Sequence, residues 1–521
     1  MTGGEGKPID GEALVSPRPL HYPAAAPRGG GRERTGSLDV AARASGTARG
    51  ARLARAATAR AMARAAVAGV MAGALISSAA GAQSAGEVIT KQYSDGGVYK
   101  GTFKEGKQDG TGTYKLPNGY SYTGQWVAGE ISGQGTAHFP NGSVYVGTFK
   151  NGKPDGKGKL TSPDGTTYDG DWVEGEMTGQ GIEHYPNGMT YTGQFVKGQH
   201  DGKGKLESQD GYVYDGDWVN GVQQGKGKIT YPNGTVYEGD LVNGQRDGQG
   251  TLNMPDGLSY VGQWKDGQIN GQGKLTQPNG DIYEGTLVDG KRQGQGKVTY
   301  KNGDSYVGGF VDDKRQGKGT YKGHDGYSYA GDWVAGRIEG QGTVTYADGS
   351  TYAGSFKADK ADGTGKMTYP DGSTYEGGWK EGQIDGQGTA RYANGITYTG
   401  GFKDGKNDGQ GVMTYPNGDS YDGGWKDGQR DGQGTITMKD GFKYVGQWKD
   451  GEMDGQGTAT YPNGDVYDGM FVQGHRQGEG TMHYASGQVQ SGNWVDDKLG
   501  ASAAGDAAPA NPAESGAAPG N

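Results

Sequence analysis

The chain has 521 residues, 109 of them glycine, and only 31% of its residues are hydrophobic. A chain so poor in leucine, isoleucine and valine cannot fill the several globular cores that its length would otherwise predict, and glycine without a three-residue period excludes collagen. Residues 83–521 carry 40 basic and 55 acidic side chains. Their net charge of −15 opposes the approach of phosphate polyanions, so we expect no nucleic-acid partner.

Cysteine is absent, which excludes disulfides, a cysteine nucleophile, cysteine-ligated metals and a lipid anchor on cysteine. The 33 tyrosines and 9 tryptophans argue against simple disorder, because disordered chains are poor in aromatic residues. A regular structure must therefore place these rings.

The N-terminal end changes character at Met62. Residues 1–61 are rich in Ala, Arg, Gly and Pro without an apolar period, which predicts disorder. Residues 62–82 have a short basic start, about a dozen apolar residues and an A-x-A sequence, the layout of a secretory signal peptide, with cleavage between Ala82 and Gln83. The alternative is a buried alanine-rich helix. Because signal peptides begin chains, we hypothesise that Met62 starts translation and that residues 1–61 are a mis-called extension.

The remaining boundaries follow from composition. Residues 83–98 are a short leader, residues 99–500 a repeat array, and residues 501–521, rich in Ala, Gly, Pro and Ser, a disordered tail. The apolar run in residues 62–82 is too short to span a membrane. With a cleaved signal peptide and no cysteine for lipidation, the protein is predicted to be periplasmic or extracellular.

The array repeats every 23 residues. Tyrosine recurs at this spacing from Tyr99 to Tyr467, giving seventeen full units, and an eighteenth begins at Gln490 and stops short. We number each unit from this residue as position 1. Glycine fills positions 3, 12, 14 and 21 of every full unit, and position 5 is aromatic or leucine throughout. A fixed period of this length indicates a repeat architecture.

Each unit reads as a β-hairpin. In Tyr260–Trp264, apolar and polar positions alternate, as in a strand with one aromatic face. Pairs such as Asp266-Gly267 at positions 7–8 predict a turn with positive φ, and Pro278-Asn279-Gly280 at positions 19–21 predicts a second turn. The fold class is therefore all-β: an elongated, single-layer antiparallel β-meander of tandem hairpins. We expect the glycines at positions 3, 12 and 14 to act as sockets on which the aromatic rings lie.

The stretch Tyr122-Thr-Gly-Gln-Trp-Val-Ala-Gly-Glu-Ile-Ser-Gly-Gln-Gly135 resembles the Y-x-G-x-W-x-x-G-x-x-x-G-x-G pattern of MORN (membrane occupation and recognition nexus) repeats, and the resemblance covers residues 99–500. Together with the signal peptide, it indicates a bacterial-type, secreted member. Leucine replaces the ring at positions 241 and 287, and aspartate replaces the position-8 glycine at positions 313, 359 and 497. The resemblance implies protein or membrane association and, as in several members, a possible homodimer.

The candidate binding site is the row of position-5 tryptophans. Because a one-layer sheet is expected to leave this face partly wet, the row is a candidate binding surface, although purely structural packing on glycine explains it equally well. The residues are Trp126, Trp172, Trp218, Trp264, Trp333, Trp379, Trp425, Trp448 and Trp494.

No cofactor, metal site or catalytic residue is predicted. His138, His184 and His483 share position 17 but lie in units that are not adjacent, and position 20 is Asn as readily as Asp, against a calcium repeat. The nucleophile-elbow, phosphate-loop, dinucleotide and zinc-protease motifs are absent. The favoured function is a non-catalytic scaffold or binding rod of the cell envelope that associates with protein or membrane. The alternatives are a cell-wall glycan or lipid binder that uses the aromatic face and, least favoured, an enzyme.

Overall fold

A computed structural model describes residues 86–500 of the chain. These residues form 37 antiparallel strands and contain no helix, which confirms the all-β fold and the hairpin in each unit. Accordingly, the described residues include no helix with the length and apolarity needed to span a membrane. The chain divides at residue 314 into two compact segments.

In the N-terminal segment, residues 86–314, each strand from β1 to β19 pairs with the strand that follows it in sequence, up to β20. The strands are β1 Val88–Gln92, β2 Val98–Lys104, β3 Lys107–Lys115, β4 Ser121–Val127, β5 Glu130–His138, β6 Val144–Lys150, β7 Lys153–Thr161, β8 Thr167–Val173, β9 Glu176–His184, β10 Thr190–Val196, β11 Gln199–Glu207, β12 Val213–Val219, β13 Val222–Thr230, β14 Val236–Val242, β15 Gln245–Asn253, β16 Ser259–Lys265, β17 Gln268–Thr276, β18 Ile282–Val288, β19 Lys291–Thr299 and β20 Ser305–Val311.

The C-terminal segment, residues 315–500, has the same meander from β21 to β37, and β21 begins one residue before it. The strands are β21 Lys314–Lys322, β22 Ser328–Val334, β23 Arg337–Thr345, β24 Thr351–Lys357, β25 Lys360–Thr368, β26 Thr374–Lys380, β27 Gln383–Arg391, β28 Thr397–Lys403, β29 Lys406–Thr414, β30 Ser420–Lys426, β31 Gln429–Thr437, β32 Lys443–Lys449, β33 Glu452–Thr460, β34 Val466–Val472, β35 His475–His483, β36 Val489–Val495 and β37 Lys498–Leu499.

Two different turns alternate along the meander. Positions 7 and 8 form a two-residue hairpin loop in which both residues have positive φ, as for Asp266 (49°) and Gly267 (83°), the signature of a type I′ turn. Positions 18–22 form the other connection. There the side chain at position 20 accepts a hydrogen bond from the N–H of position 22, as Asn279 does from Asp281 (2.9 Å). Asn and Asp both supply this oxygen, which explains why either residue occurs at position 20.

The leader that precedes Tyr99 contains half a unit. β1 pairs with β2 along its whole length, and the Asp95 side chain accepts the Gly97 N–H at 2.8 Å, as position 20 does in the full units. Counting back 23 residues from Tyr99 places β1 at positions 13–17. The Asp95-Gly96 pair is the sequence signal for this half unit. Because no tyrosine or tryptophan precedes that pair at the repeat spacing, the sequence pattern alone predicted only a leader here.

The glycine sockets exist at two of the three predicted positions. In the unit that begins at Tyr260, the glycines at positions 3 and 14, Gly262 and Gly273, lie opposite each other, and Gly273 also lies opposite Gly285 of the next unit. A Cβ atom on Gly273 would overlap the Tyr260 ring, and one on Gly262 would lie 2.5 Å from the Gln272 carbonyl oxygen, the Gly273 Cα and the Tyr260 hydroxyl. The socket holds the unit's own tyrosine.

The prediction that position 12 is also a socket is wrong. The glycine at this position has a positive φ, 65–117° over the seventeen units, and a Cβ on Gly271 would meet the Gln263 side chain rather than a ring. The register of β16 on β17 shifts between Gly262 and Trp264, so this glycine belongs to a β-bulge. Glycine is required here because other residues adopt this backbone conformation only with strain.

Candidate functional site

The nine position-5 tryptophans lie in the core of the sheet's aromatic face, which we define as the face that carries positions 1, 5, 10 and 16. Their exposed fractions are only 1–6%. The leucines that replace the ring, Leu241 and Leu287, are equally buried. The expectation that this row stays partly wet is therefore wrong, because the rings cover one another. A binding role for the tryptophans stays a prediction.

Each tryptophan uses its only polar group within the sheet itself. The indole Nε1 donates a hydrogen bond to the position-14 glycine carbonyl of the preceding unit, as Trp264 does to Gly250 at 3.3 Å. The same bond, 3.0–3.3 Å long, is made by all nine tryptophans. A ligand stacked on these rings would find no free indole N–H.

The tyrosines interlock successive units. The Tyr260 ring meets Trp264 of its own unit edge-on at 5.5 Å, and Trp264 also meets Tyr237 of the preceding unit at 5.4 Å. Edge-to-face packing at such distances is favourable beyond the burial of area. In all seventeen full units the tyrosine hydroxyl donates to the position-4 carbonyl, at 2.7–3.2 Å. Burial raises the pKa of Tyr260 and Tyr283 to about 12.

Where position 4 carries glutamine, aspartate or threonine, this side chain beside the ring also has an internal role. The Gln263 side chain accepts the backbone N–H of Gln272 at 2.8 Å, and Asp171 does the same for Gln180 at 2.9 Å. These N–H groups follow the position-12 glycine of the bulge, where the regular ladder is interrupted. The sequence shows only that the residue at position 4 varies, and this variation disfavours a sugar-binding site. In the structure, the Gln, Asp and Thr residues at position 4 share the ability to accept this hydrogen bond.

Position 10 is where the aromatic face varies in chemistry. Five units carry arginine there, and each guanidinium lies over the position-5 ring of the next unit, at 4.3 Å for Arg246 over Trp264 and 5.0 Å for Arg292 over Phe310. Arg292 also donates through Nε to the Asp313 carboxylate at 3.2 Å. The five are Arg246, Arg292, Arg315, Arg430 and Arg476.

The aspartates that replace the position-8 glycine support these arginines. Asp313 and Asp497 keep the positive φ of the turn, at 69° and 68°, and their carboxylates accept the backbone N–H of Arg292 and Arg476, at 2.9 Å each. Asp359 accepts the Ile338 N–H in the same way at 2.7 Å. Aspartate at this position therefore couples one unit to the unit before it.

The histidines at position 17 are exposed, as predicted. Within residues 86–500, no group of three or more His, Asp or Glu side chains is arranged to hold a metal ion. His200, at position 10, differs from the other histidines, since it lies on the aromatic face and pairs with Glu183 at 2.9 Å. The predicted cleavage residues Ala82 and Gln83, like the segments 1–61, 62–82 and 501–521, lie outside the described residues.

Solved structures with similarity to the chain are distant from it. The TCP domain of SAS-4 from Drosophila melanogaster, in complex with a proline-rich motif of Ana2, is 16% identical over 41% of this chain and 96% of its own, with a TM-score of 0.16. The TCP10 domain of Danio rerio CPAP with a STIL peptide is 15% identical over 51% and 93%, with a TM-score of 0.12. Virginiamycin B lyase from Staphylococcus aureus is 9% identical over 55% and 92%, with a TM-score of 0.10. TM-scores this low carry no functional conclusion.

A comparison with curated proteins gave no match. The family model of the MORN repeat matches the chain seventeen times in tandem, at residues 99–119, 122–144, 145–167, 168–190, 191–211, 214–236, 237–259, 260–282, 283–305, 306–326, 329–351, 352–374, 375–397, 398–420, 421–442, 444–466 and 467–489. These matches cover well over half of the chain and follow the units that the structure shows as hairpins, so the protein belongs to the MORN repeat family.

Proposed function

We propose that the chain is a non-catalytic MORN-repeat scaffold of the cell envelope that binds a protein partner across several consecutive units. The observation that carries the proposal is the outward face of the sheet, which we define as the face with positions 2, 4, 6, 13, 15 and 17. Position 6 is valine in four successive units, Val173, Val196, Val219 and Val242, and each is 41–51% exposed. Exposed apolar side chains repeated on one face favour contact with a partner.

The charges around these valines favour protein over a polyanion or an anionic lipid surface. On the outward face a position-4 aspartate pairs with the position-13 lysine of the preceding unit, as Asp171 does with Lys157 and Asp217 with Lys203, both at 2.6 Å. These lysines hold the pKa of both aspartates below its usual value. Paired charges around apolar residues are typical of protein interfaces. The net charge of −15 over residues 83–521 also weakens attraction to anionic headgroups.

The glycan or lipid alternative has less support because the rings it needs are buried and their indole N–H groups are occupied. The non-catalytic part of the proposal rests on the family and on the near identity of the units along the sequence. The envelope part rests on the signal-peptide layout of residues 62–82.

Chemical cross-linking in the native host, followed by mass spectrometry, tests the partner and the surface together. We expect a protein partner, joined to residues of the outward face over several units. Replacing Val196, Val219 and Val242 by lysine, which other units carry at position 6, should reduce cross-linking without lowering the melting temperature. The matched variant Trp264→Leu, which copies position 5 of Leu241, should lower the melting temperature but weaken binding only modestly.

The opposite pattern would refute the outward-face proposal in favour of the aromatic face: binding lost in Trp264→Leu while the fold survives, and unchanged in the valine variants. Cross-links only between copies of this chain would replace the partner with a homodimer.

Location is tested separately by N-terminal sequencing of the protein from cell fractions. We expect Gln83 as the first residue, in the periplasm or outside the cell, and uncleaved protein in the cytoplasm would contradict this.

A further inference from the structure

Two charged or ionisable departures from the repeat meet at one place on the aromatic face. Glu183 occupies position 16 of its unit, where fourteen of the sixteen other full units have an aliphatic residue or methionine and two have tyrosine, and His200 of the next unit is the one histidine at position 10. Tyr185, at position 18, lies next to both. The side chains of Glu183 and His200 are only 17% and 12% exposed.

The three side chains direct one atom each to a common point. Glu183 Oε2 lies 2.9 Å from His200 Nε2 and accepts a hydrogen bond from the Tyr185 hydroxyl at 2.5 Å, while Tyr185 Oη lies 3.3 Å from His200 Nε2. The imidazole is held flat on the Tyr191 ring, with centroids 3.6 Å apart and an angle of 10° between the planes. Its edge-on contact with Trp218, at 5.1 Å, fixes it from another side.

Stability does not account for this cluster. Leucine, isoleucine, valine, alanine and methionine fill position 16 in most other units, so an apolar side chain fits the same space. Replacing a buried charged pair by such residues is often neutral or stabilising, because desolvation offsets the attraction within the pair. Elsewhere, the contact between positions 18 and 10 forms without an acid, as in the Gln108 Nε2 bond to the Tyr93 hydroxyl at 2.6 Å.

We propose that Glu183, Tyr185 and His200 form a binding site for one divalent transition-metal ion, with Zn²⁺ as the representative. A zinc ion with Zn–N and Zn–O bonds of about 2.0–2.1 Å separates tetrahedral ligands by about 3.3 Å, so the 2.5–3.3 Å triangle needs to open only slightly. One imidazole with two oxygen ligands suits zinc, copper or nickel, whereas Ca²⁺ and Mg²⁺ prefer oxygen alone. Three protein ligands leave the fourth position to water.

Binding exchanges protons for the metal. The Tyr185 hydroxyl loses to solvent the proton that it now donates to Glu183. An imidazolium at His200 likewise releases its Nε2 proton and keeps the one on Nδ1, whereas a neutral imidazole moves its proton from Nε2 to Nδ1. Affinity must therefore rise with pH, and the heat of binding must depend on the ionisation enthalpy of the buffer. The third ligand is a phenol oxygen, so the site holds only two side chains of the His, Asp and Glu type.

The test is calorimetric titration of the tag-free, chelator-treated chain with Zn²⁺. We expect one saturable site, proton release and a higher melting temperature with zinc. Glu183→Leu, which copies Leu206 at the same position, and His200→Gln, which copies Gln223, should each weaken binding by more than about 100-fold, since loss of a ligand exceeds the roughly 10–100-fold effect of a supporting residue. His138→Thr, which removes an exposed histidine, is the matched control and should bind as the wild type does.

Circular dichroism without metal separates a lost site from a lost fold. Both ligand variants should keep the wild-type spectrum, and neither should show the rise in melting temperature that zinc gives the wild type. Titration with Cu²⁺ should also produce a phenolate-to-metal absorption band that Tyr185→Phe abolishes. The proposal is overturned if the wild type shows no saturable zinc site, if folded Glu183→Leu and His200→Gln bind zinc as the wild type does, or if His138→Thr loses the site.

Discussion

At the scale of single residues, the sheet depends on a tyrosine that covers bare backbone. The ring of Tyr260 lies over Gly273, and its hydroxyl reaches the Gln263 carbonyl three residues ahead at 2.9 Å. Glycine in a strand ordinarily costs stability, because it has no side chain to pack and loses more conformational freedom on folding. Here the aromatic ring compensates for that cost by burying its own area on the glycine.

Side chains added to the socket should therefore destabilise the fold. Gly262→Val should lower the free energy of unfolding by about 1–3 kcal/mol through overpacking, because its Cβ has backbone atoms and the Tyr260 hydroxyl within 2.5 Å. The three atoms nearest to a Cβ on Gly273 all belong to the Tyr260 side chain, so the cost of Gly273→Ala should shrink in a Tyr260→Leu background. Urea unfolding measures the four members of this cycle, and Val261→Ala on the outward face, expected within about 0.5 kcal/mol of wild type, is the control. Additive costs for Gly273→Ala and Tyr260→Leu would refute the socket.

The same burial predicts a loss of stability in alkali. The pKa of Tyr260 and Tyr283 is about 12 in the folded chain and about 10 in the unfolded chain. Between these values the unfolded chain releases protons that the folded chain retains, so stability is complete below pH 10 and falls as the pH rises towards 12. Thermal unfolding followed by circular dichroism from about pH 8 to 12, with tyrosinate absorbance recorded in parallel, measures this. A stability that does not change between about pH 10 and 12 would contradict the prediction.

At these residues the sequence predicted the structure correctly wherever one pattern has one physical cause. The 23-residue spacing and the alternation in Tyr260–Trp264 predicted strand, face and turn, because a period of 2 and an Asp-Gly pair each correspond to one kind of backbone structure. It failed where glycine has two causes. Gly273 and Gly271 look identical in the repeat, yet the first accommodates a ring and the second adopts a positive φ. Burial of the tryptophans was missed because the rings that cover each tryptophan come partly from the neighbouring unit.

At the scale of elements, the turn at positions 18–22 shows how neighbouring units adjust to each other. Position 19 is proline in ten of the seventeen full units and has no N–H there. Where it is not proline, the preceding unit can supply an acceptor at position 22. Asp281 accepts the Lys301 N–H at 3.0 Å, and Asp419 accepts the Lys439 N–H at 2.9 Å. Ser350 is the position-22 residue of the unit before the one that contains Pro370, and its buried hydroxyl has no hydrogen-bond partner.

This compensation makes a testable pair. Asp419→Ala should cost about 1 kcal/mol, because the Lys439 N–H loses its acceptor. Adding Lys439→Pro removes the orphaned N–H and copies the arrangement of most units, so the double variant should recover much of the loss. Denaturant unfolding measures both, and Lys439→Pro alone serves as the control for proline itself. If the double variant is no more stable than Asp419→Ala, the two positions are not coupled in this way.

At the scale of the whole molecule, cohesion comes from contacts between neighbouring units. The Trp264 Nε1 bond reaches back 14 residues, the Asp155 bond to the Glu174 N–H spans 19, and the Asp313 bond to Arg292 spans 21. Each of these bonds joins one unit to the next. Repeat proteins held in this way have a stability that is approximately a sum over units and their interfaces.

Deletions in register should therefore preserve the fold. Removing residues 237–259, one complete unit, joins Val236 to Tyr260. Each remaining unit then still lies beside a unit of the same kind. The circular dichroism spectrum should stay that of a β-sheet, and binding of the partner should fall in steps as further units are removed. Removing only residues 237–248 deletes most of β14, the turn after it and the first part of β15, and should abolish cooperative unfolding. A discrete site is indicated instead if one particular unit removes all binding.

The hydrogen bond of each tyrosine hydroxyl and the glycines beneath its ring lie within a single unit, and this has a genetic consequence. A gene segment that encodes 23 residues can be copied or lost by unequal crossing-over, and the protein that results meets the same steric and hydrogen-bonding requirements at the new junction. Chain length in such a lineage would change in whole steps of one hairpin, at little risk to folding. Glu183 and His200 depart from the repeat pattern and contact each other across the junction of two units. Their pairing is then kept in the lineage only as long as these two units are inherited side by side.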